Sequence, residues 1–177
     1  MTTPPTDTAL MQAAGFTEQD LAANRSGRLS ERQDYMLRQR RIRAALIGAA
    51  LVLVGVFVAT GFLFFGSRQD NAILSLVGIG ITLCNAVLVG MFVRHWLRLN
   101  SDIRGGVVIA TSGTLERVLK PVSRRVVNTM LRVDDVEVFV SKELFEATAH
   151  RLPYTLYRAP ATGMLLSLER LDAPDST

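Results

Sequence analysis

The chain has 177 residues, an apolar fraction of 49% and a formal net charge of +4, which allows one or two compact units. Its single cysteine, Cys84, excludes an intramolecular disulfide and a thiolate metal cluster. Residues 1–43 hold seven Arg against five acids, residues 44–98 hold three Arg against Asp70, and residues 99–177 balance ten basic with ten acidic residues. Phosphate-backbone binding needs a local surplus of Lys and Arg, so the C-terminal part is not expected to take nucleic acid.

In chain order, residues 1–14 are polar and contain Pro4 and Pro5, which predicts a flexible lead. Residues 15–43 read as a helical juxtamembrane segment. Thr17 with Asp20 marks a short helix, Asn24 to Gly27 a turn, and Ser30 with Gln33 a capping box opening a longer helix. Such a segment suits the inner leaflet of a membrane. A DNA-reading helix-turn-helix is the lesser alternative, because the first helix is short and the second enters an apolar run.

Residues 44–66, "AALIGAALVLVGVFVATGFLFFG", and 71–93, "NAILSLVGIGITLCNAVLVGMFV", contain no charge. A helix of roughly 20 residues crosses a hydrocarbon core of about 30 Å, so both are predicted transmembrane helices joined by a short loop at 67–70. The first lies too far from the N-terminus and is too long for a signal peptide. Arg38, Arg40, Arg41 and Arg43 precede the pair, and Arg94 and Arg98 follow it with Trp96 at headgroup level. Positive charge stays on the cytoplasmic side, which predicts both termini in the cytoplasm and contact of these residues with the lipid bilayer. Gly78, Thr82, Ala86 and Gly90 form a stripe of small residues with Asn85 beside it, suited to helix–helix packing within the hairpin or between copies.

After a juxtamembrane linker at 94–104 the periodicity shortens. Residues 106–120 read as one bulged strand or two short ones. Residues 125–133 and 136–140 flank Asp134-Asp135 as a hairpin, and Ser141 caps a short helix. "YTLYRA" and "MLLSLERL" form a second hairpin, with Leu166 and Leu168 on one face and Ser167 and Glu169 on the other. That order predicts a cytoplasmic small β-barrel domain over 105–172, five-stranded and OB-like or SH3-like, with a tail at 173–177. Tyr154 and Tyr157 point to opposite faces of a regular strand, which makes one of them a candidate partner surface.

Chemistry-bearing motifs are scarce. His95 and His150 lack metal-ligand neighbours at a suitable spacing, and "GIG" at 78–80 lies inside a span without a βα context. No catalytic, metal or cofactor residues are assigned, and an enzyme is not expected.

"DLAANRSGRLSERQ" (Asp20–Gln33) fits a D-L-x-x-N-R-x-G-x-L-S-x-x-Q pattern, and "YTLYRAPATGMLLSLE" (Tyr154–Glu169) fits Y-x-x-Y-x-A-P-x-x-x-x-L-L-S-x-E. On these two segments the chain resembles a group of uncharacterised bacterial two-span membrane proteins, a resemblance that implies architecture and the bacterial inner membrane but no activity. In element order it is similar to NfeD-type proteins, which carry an OB domain behind membrane helices and are thought to organise membrane partners. The expected whole is an α+β membrane protein, a two-helix transmembrane hairpin followed by the small β-barrel. Its expected role is a scaffold for an unknown cytoplasmic protein. A homo-oligomeric pore built on the small-residue stripe is the alternative, and oligonucleotide binding is disfavoured.

Overall fold

The computed structural model describes residues 6–123 and 126–171. The expected features at residues 1–5, the strand start at Arg125 and the tail lie outside them. The protein is α+β, with five helices and five strands among the described residues: α1 (Thr6–Ala14), α2 (Glu18–Arg25), α3 (Glu31–Arg68), α4 (Ala72–Gly105), β1 (Ile109–Ser123), β2 (Val126–Val133), β3 (Val136–Phe139), α5 (Lys142–Ala147), β4 (Pro153–Arg158) and β5 (Leu165–Arg170). Two compact units result: one made of both chain ends, 1–35 and 104–177, and one of residues 36–103.

The end-built unit centres on an open antiparallel sheet in the order β3-β2-β1-β4-β5. β1 serves both halves of it. Ile109 to Thr114 pair with β4, and Leu115 onward pairs with β2, so the region predicted as one strand or two is one long strand from Ile109. At Gly113 a Cβ would come within 2.8 Å of Asp134 Oδ1 and 3.1 Å of Val133 Cγ1, so a side chain there would require Asp134 to shift. The β2–β3 turn uses Asp134 at a φ of 50°, a left-handed conformation that Asp tolerates better than most residues. Ser141 accepts a hydrogen bond from Leu144 N and starts α5. This helix lays Leu144 and Phe145 into the core, and the Arg117 guanidinium stacks 4.2 Å from the Phe145 ring.

The N-terminal region departs from its sequence reading. Residues 6–14 form a helix, and Leu10 is buried with Phe16 and Leu21 in the same core as Leu115, Leu131, Leu156 and Leu168. Full burial of such a side chain contributes roughly 1.5–3 kcal/mol, which outweighs the polar composition that suggested a flexible lead. α2 likewise turns Leu21 into that core. Both arms of its Thr17–Asp20 capping box are present. Gly27, at a φ of 75°, turns the chain so that its carbonyl accepts from Val108 N, and Leu29 N donates to the Gly106 carbonyl. Arg28 and Val107 bridge there, tying the start of the chain to the start of the β region.

In the second unit α3 and α4 are each long and apolar enough to span a membrane. Asn71 is the cap of α4 rather than its first residue, accepting from Ile73 N and Leu74 N at 3.0 and 3.3 Å. The segment at 94–104 continues this helix to Gly105 instead of forming a linker.

Gly48 stands against the Phe92 ring, Gly55 against the Asn85 amide and Gly78 against Leu63. The contact positions 78, 85 and 92 on α4, and 48 and 55 on α3, recur every seven residues, the spacing that keeps two packed helices in contact. Most large apolar side chains of both helices remain exposed, among them Phe57 at 83% and Ile73 at 75%.

Candidate functional site

The two segments singled out in the sequence as motifs lie against each other. Asn24, in the last turn of α2, is 1% exposed, and its Nδ2 donates to Ser167 Oγ of β5 at 2.6 Å. Arg25 follows it in sequence and donates from Nε to Glu169 Oε2 at 2.7 Å, with a second bond from its terminal nitrogen. Tyr157 of β4 donates its hydroxyl proton to Glu169 Oε1 at 2.6 Å. The Glu169 carboxylate thus accepts from one helix and one strand at once. Further along, Gln33 Nε2 donates to the Leu166 carbonyl at 3.2 Å, while its Oε1 accepts from Ser30 N.

The reason lies in the alternation of β5. Leu166 and Leu168 take one face, and Ser167 and Glu169 take the other. That second face is polar, yet α2 covers it, so Ser167 is fully buried and its hydroxyl needs a partner. Asn24 supplies one. Its own Oδ1 is buried without a hydrogen-bond partner among the described residues.

Asp20 anchors the same helix from its first turn. Burial pushes its carboxyl up, but hydrogen bonds from Ser30 Oγ, from Thr17 N and from the Thr17 hydroxyl, with the Arg32 charge, hold it below the ordinary carboxylate value. Burial is the largest influence on Tyr157, and with the Glu169 carboxylate beside it the phenol is pushed up to about 12. It stays protonated and remains a donor.

The other predicted residues are distributed as follows. Tyr154 and Tyr157, expected to offer a partner surface, are instead 1% and 5% exposed, and Tyr154 Oη accepts from Ala149 N at 3.2 Å. Sheet alternation does put them on opposite faces, but both faces are covered. Of the small-residue stripe, Gly78 packs on Leu63, and Thr82 donates its hydroxyl proton to the Gly78 carbonyl at 2.9 Å. Thr82, Ala86 and Gly90 are exposed, and nothing lies within 4 Å of a Cβ built at Gly90. Asn85 Nδ2 donates to the Val52 carbonyl at 3.2 Å. A four-residue stripe turns by about 40° per step on a helix, so it drifts away from a straight partner, and only its first member meets α3. Among the arginines, Arg41 Nη1 donates to Asn100 Oδ1 at 2.9 Å. Arg43, Arg94, Trp96 and Arg98 are exposed.

No group of three His, Cys, Asp or Glu able to hold a metal occurs among the described residues. Asn24 with Ser167, and Arg25 and Tyr157 with Glu169, form a polar lock that holds two segments together. Its side chains were within reach of the sequence reading, because Asn24, Arg25, Ser167 and Glu169 all belong to the quoted motifs. Their pairing across the chain was not.

The chain matches no protein family, no curated protein and no solved structure in the comparisons made with it.

Proposed function

We propose that the chain is an integral membrane protein that holds a small non-enzymatic domain at the cytoplasmic face of a bacterial inner membrane, as a scaffold for a protein partner. The observation that carries the membrane part is the uncharged, outward-facing apolar surface of α3 and α4, where Leu53, Phe57, Ile73 and Leu76 are each more than two-thirds exposed. Water would tolerate such a surface poorly, and lipid tails match it. The flanking arginines favour the orientation with both termini inside.

The adaptor reading follows from what the domain offers. Its polar lock is consumed internally, whereas β3 is an edge strand with Phe139 67% exposed. An edge of this kind accepts an added strand, with main-chain bonds for affinity and a side chain for selectivity. The OB-like reading is supported by element order and by the sharing of β1 between two halves of the sheet, with the β3 edge left open. Oligonucleotide binding remains the weaker use of such a domain. Its charge balances, and Lys120 and Arg132 are both paired with Glu137.

One test addresses each part. In a Cys84→Ser background, a single cysteine at Asp135 should resist a membrane-impermeant maleimide in intact cells and react once the membrane is opened. A photo-crosslinking residue at Phe139 should trap a discrete partner, and Phe139→Lys should abolish its recovery. Labelling in intact cells would move the domain to the other side of the membrane. No adduct at Phe139 would remove the edge strand as the contact.

A homo-oligomeric assembly is the second reading, favoured by the exposed Thr82, Ala86 and Gly90. Gly90→Leu should then dissociate the oligomer while the hairpin stays intact.

A further inference from the structure

One end of the α3–α4 hairpin concentrates positive charge. Among residues 36–103, Arg38, Arg40, Arg41, Arg43, Arg94 and Arg98 lie at the end opposite the connecting turn, whereas Arg68 and Asp70 offset each other at the turn itself. Within residues 36–103 the one acid at that end, Asp102, is 1% exposed. The arginines there are not equivalent. Arg41 is bound to Asn100. Arg43, Arg94 and Arg98 are exposed and engage no carboxylate among the described residues.

Their depth along the hairpin follows from the seam. Gly48 faces Phe92 and Gly55 faces Asn85, so Arg43 stands nearly level with Leu97, and Arg94 lies about one helical turn deeper than Arg98. All three therefore fall in a belt on the order of 6 Å tall. Trp96 lies in the same belt at 37% exposure. Within the same belt Ile42, Leu46 and Leu97 are each more than half exposed, so apolar surface for acyl chains is interleaved with the charges for anions. Long guanidinium stems can run along such a surface and lift the charge to headgroup level. A guanidinium left without a carboxylate pairs bidentately with a phosphate oxygen pair.

We propose that Arg43, Arg94 and Arg98 form a binding belt for the phosphate headgroups of anionic phospholipid, so that the protein selects such lipids from a mixed bilayer. The inference rests on the membrane reading above.

The test uses the full chain in mixed micelles holding equal amounts of phosphatidylglycerol and phosphatidylcholine, with retained lipid counted by native mass spectrometry. Phosphatidylglycerol should be retained about fivefold over phosphatidylcholine, the preference that one such contact confers. R43Q, R94Q and R98Q should each lower the ratio, and the triple variant should bring it to parity. R43K/R94K/R98K should keep a preference, and K142Q, an exposed charge removed elsewhere, should leave the ratio unchanged. Excess inorganic phosphate should not displace the lipid. Parity in the unaltered protein, an unchanged ratio in the triple variant, or displacement by inorganic phosphate alone would each overturn the proposal. A chain released from cells without detergent would instead overturn the membrane reading, so the two failures are distinguishable.

Discussion

Asn24 and Ser167 are separated by 143 positions in the chain and share a buried hydrogen bond of 2.6 Å. One belongs to the second helix and the other to the last strand, so the domain is assembled from the two ends of the sequence, with both apolar helices inserted between them. The neighbouring Arg25–Glu169 and Gln33–Leu166 contacts repeat that linkage, and together they make the N-terminal region part of the β domain.

Removing one side of the central bond should be costly. Asn24→Ala leaves the buried Ser167 hydroxyl without a partner, which destabilises by about 1–3 kcal/mol. Thermal unfolding of the detergent-solubilised chain should show a lower Tm, and the double variant Asn24→Ala/Ser167→Ala should recover part of the loss.

Because Leu10, Phe16 and Leu21 are core residues, the fragment 104–177 should not fold alone. Its amide hydrogens should exchange rapidly, and adding a peptide of residues 1–35 should restore protection. A fully protected fragment would show that the helices are accessory to the sheet.

The raised pKa of Tyr157 fixes the sign of an alkaline effect. A folded-state pKa of about 12 against an ordinary 10.0 means that the native state holds the phenolic proton more tightly than the unfolded chain does. The resulting stabilisation is complete below pH 10 and is lost as pH rises toward 12. Tyr157→Phe should flatten the fall in stability in that window. Tyrosinate absorbance of the native protein should show a late titration that Tyr157→Phe removes.

Asp20 sets the acid side. Its folded-state carboxyl is depressed, so its contribution is present above the ordinary value of 3.8 and disappears as pH falls through the lower folded value. Asp20→Asn should lower stability at neutral pH and weaken the acid dependence, as read from denaturation midpoints across the acid range.

The hairpin seam gives a contrast between two glycines. A Cβ at Gly78 would meet Leu63 Cγ at 2.7 Å, while at Gly90 it would meet nothing within 4 Å. Gly78→Leu should therefore disturb pairing of the two helices, measured as lost disulfide trapping between cysteines placed at Val52 and Asn85 in the Cys84→Ser background. Gly90→Leu should leave that trapping intact.

Whatever depends on neighbours along the chain was legible in the residues. An uncharged run of 23 residues makes a long apolar helix wherever it sits, and both such runs fall within α3 and α4. Alternation and adjacency likewise specify the β2–β3 and β4–β5 hairpins, and Ser30 with Gln33 specifies the start of α3. Tertiary structure alone decided which surfaces were covered. The Ser167–Glu169 face of β5 is polar and reads as solvated until α2 lies on it. The residues of 6–14 read as a loose lead until Leu10 finds its pocket. The stripe from Gly78 to Gly90 reads as one interface until the seven-residue seam retains only its first member. Local pattern reports what a side chain can do, whereas burial depends on which distant segment arrives. For this chain that segment comes from the opposite end.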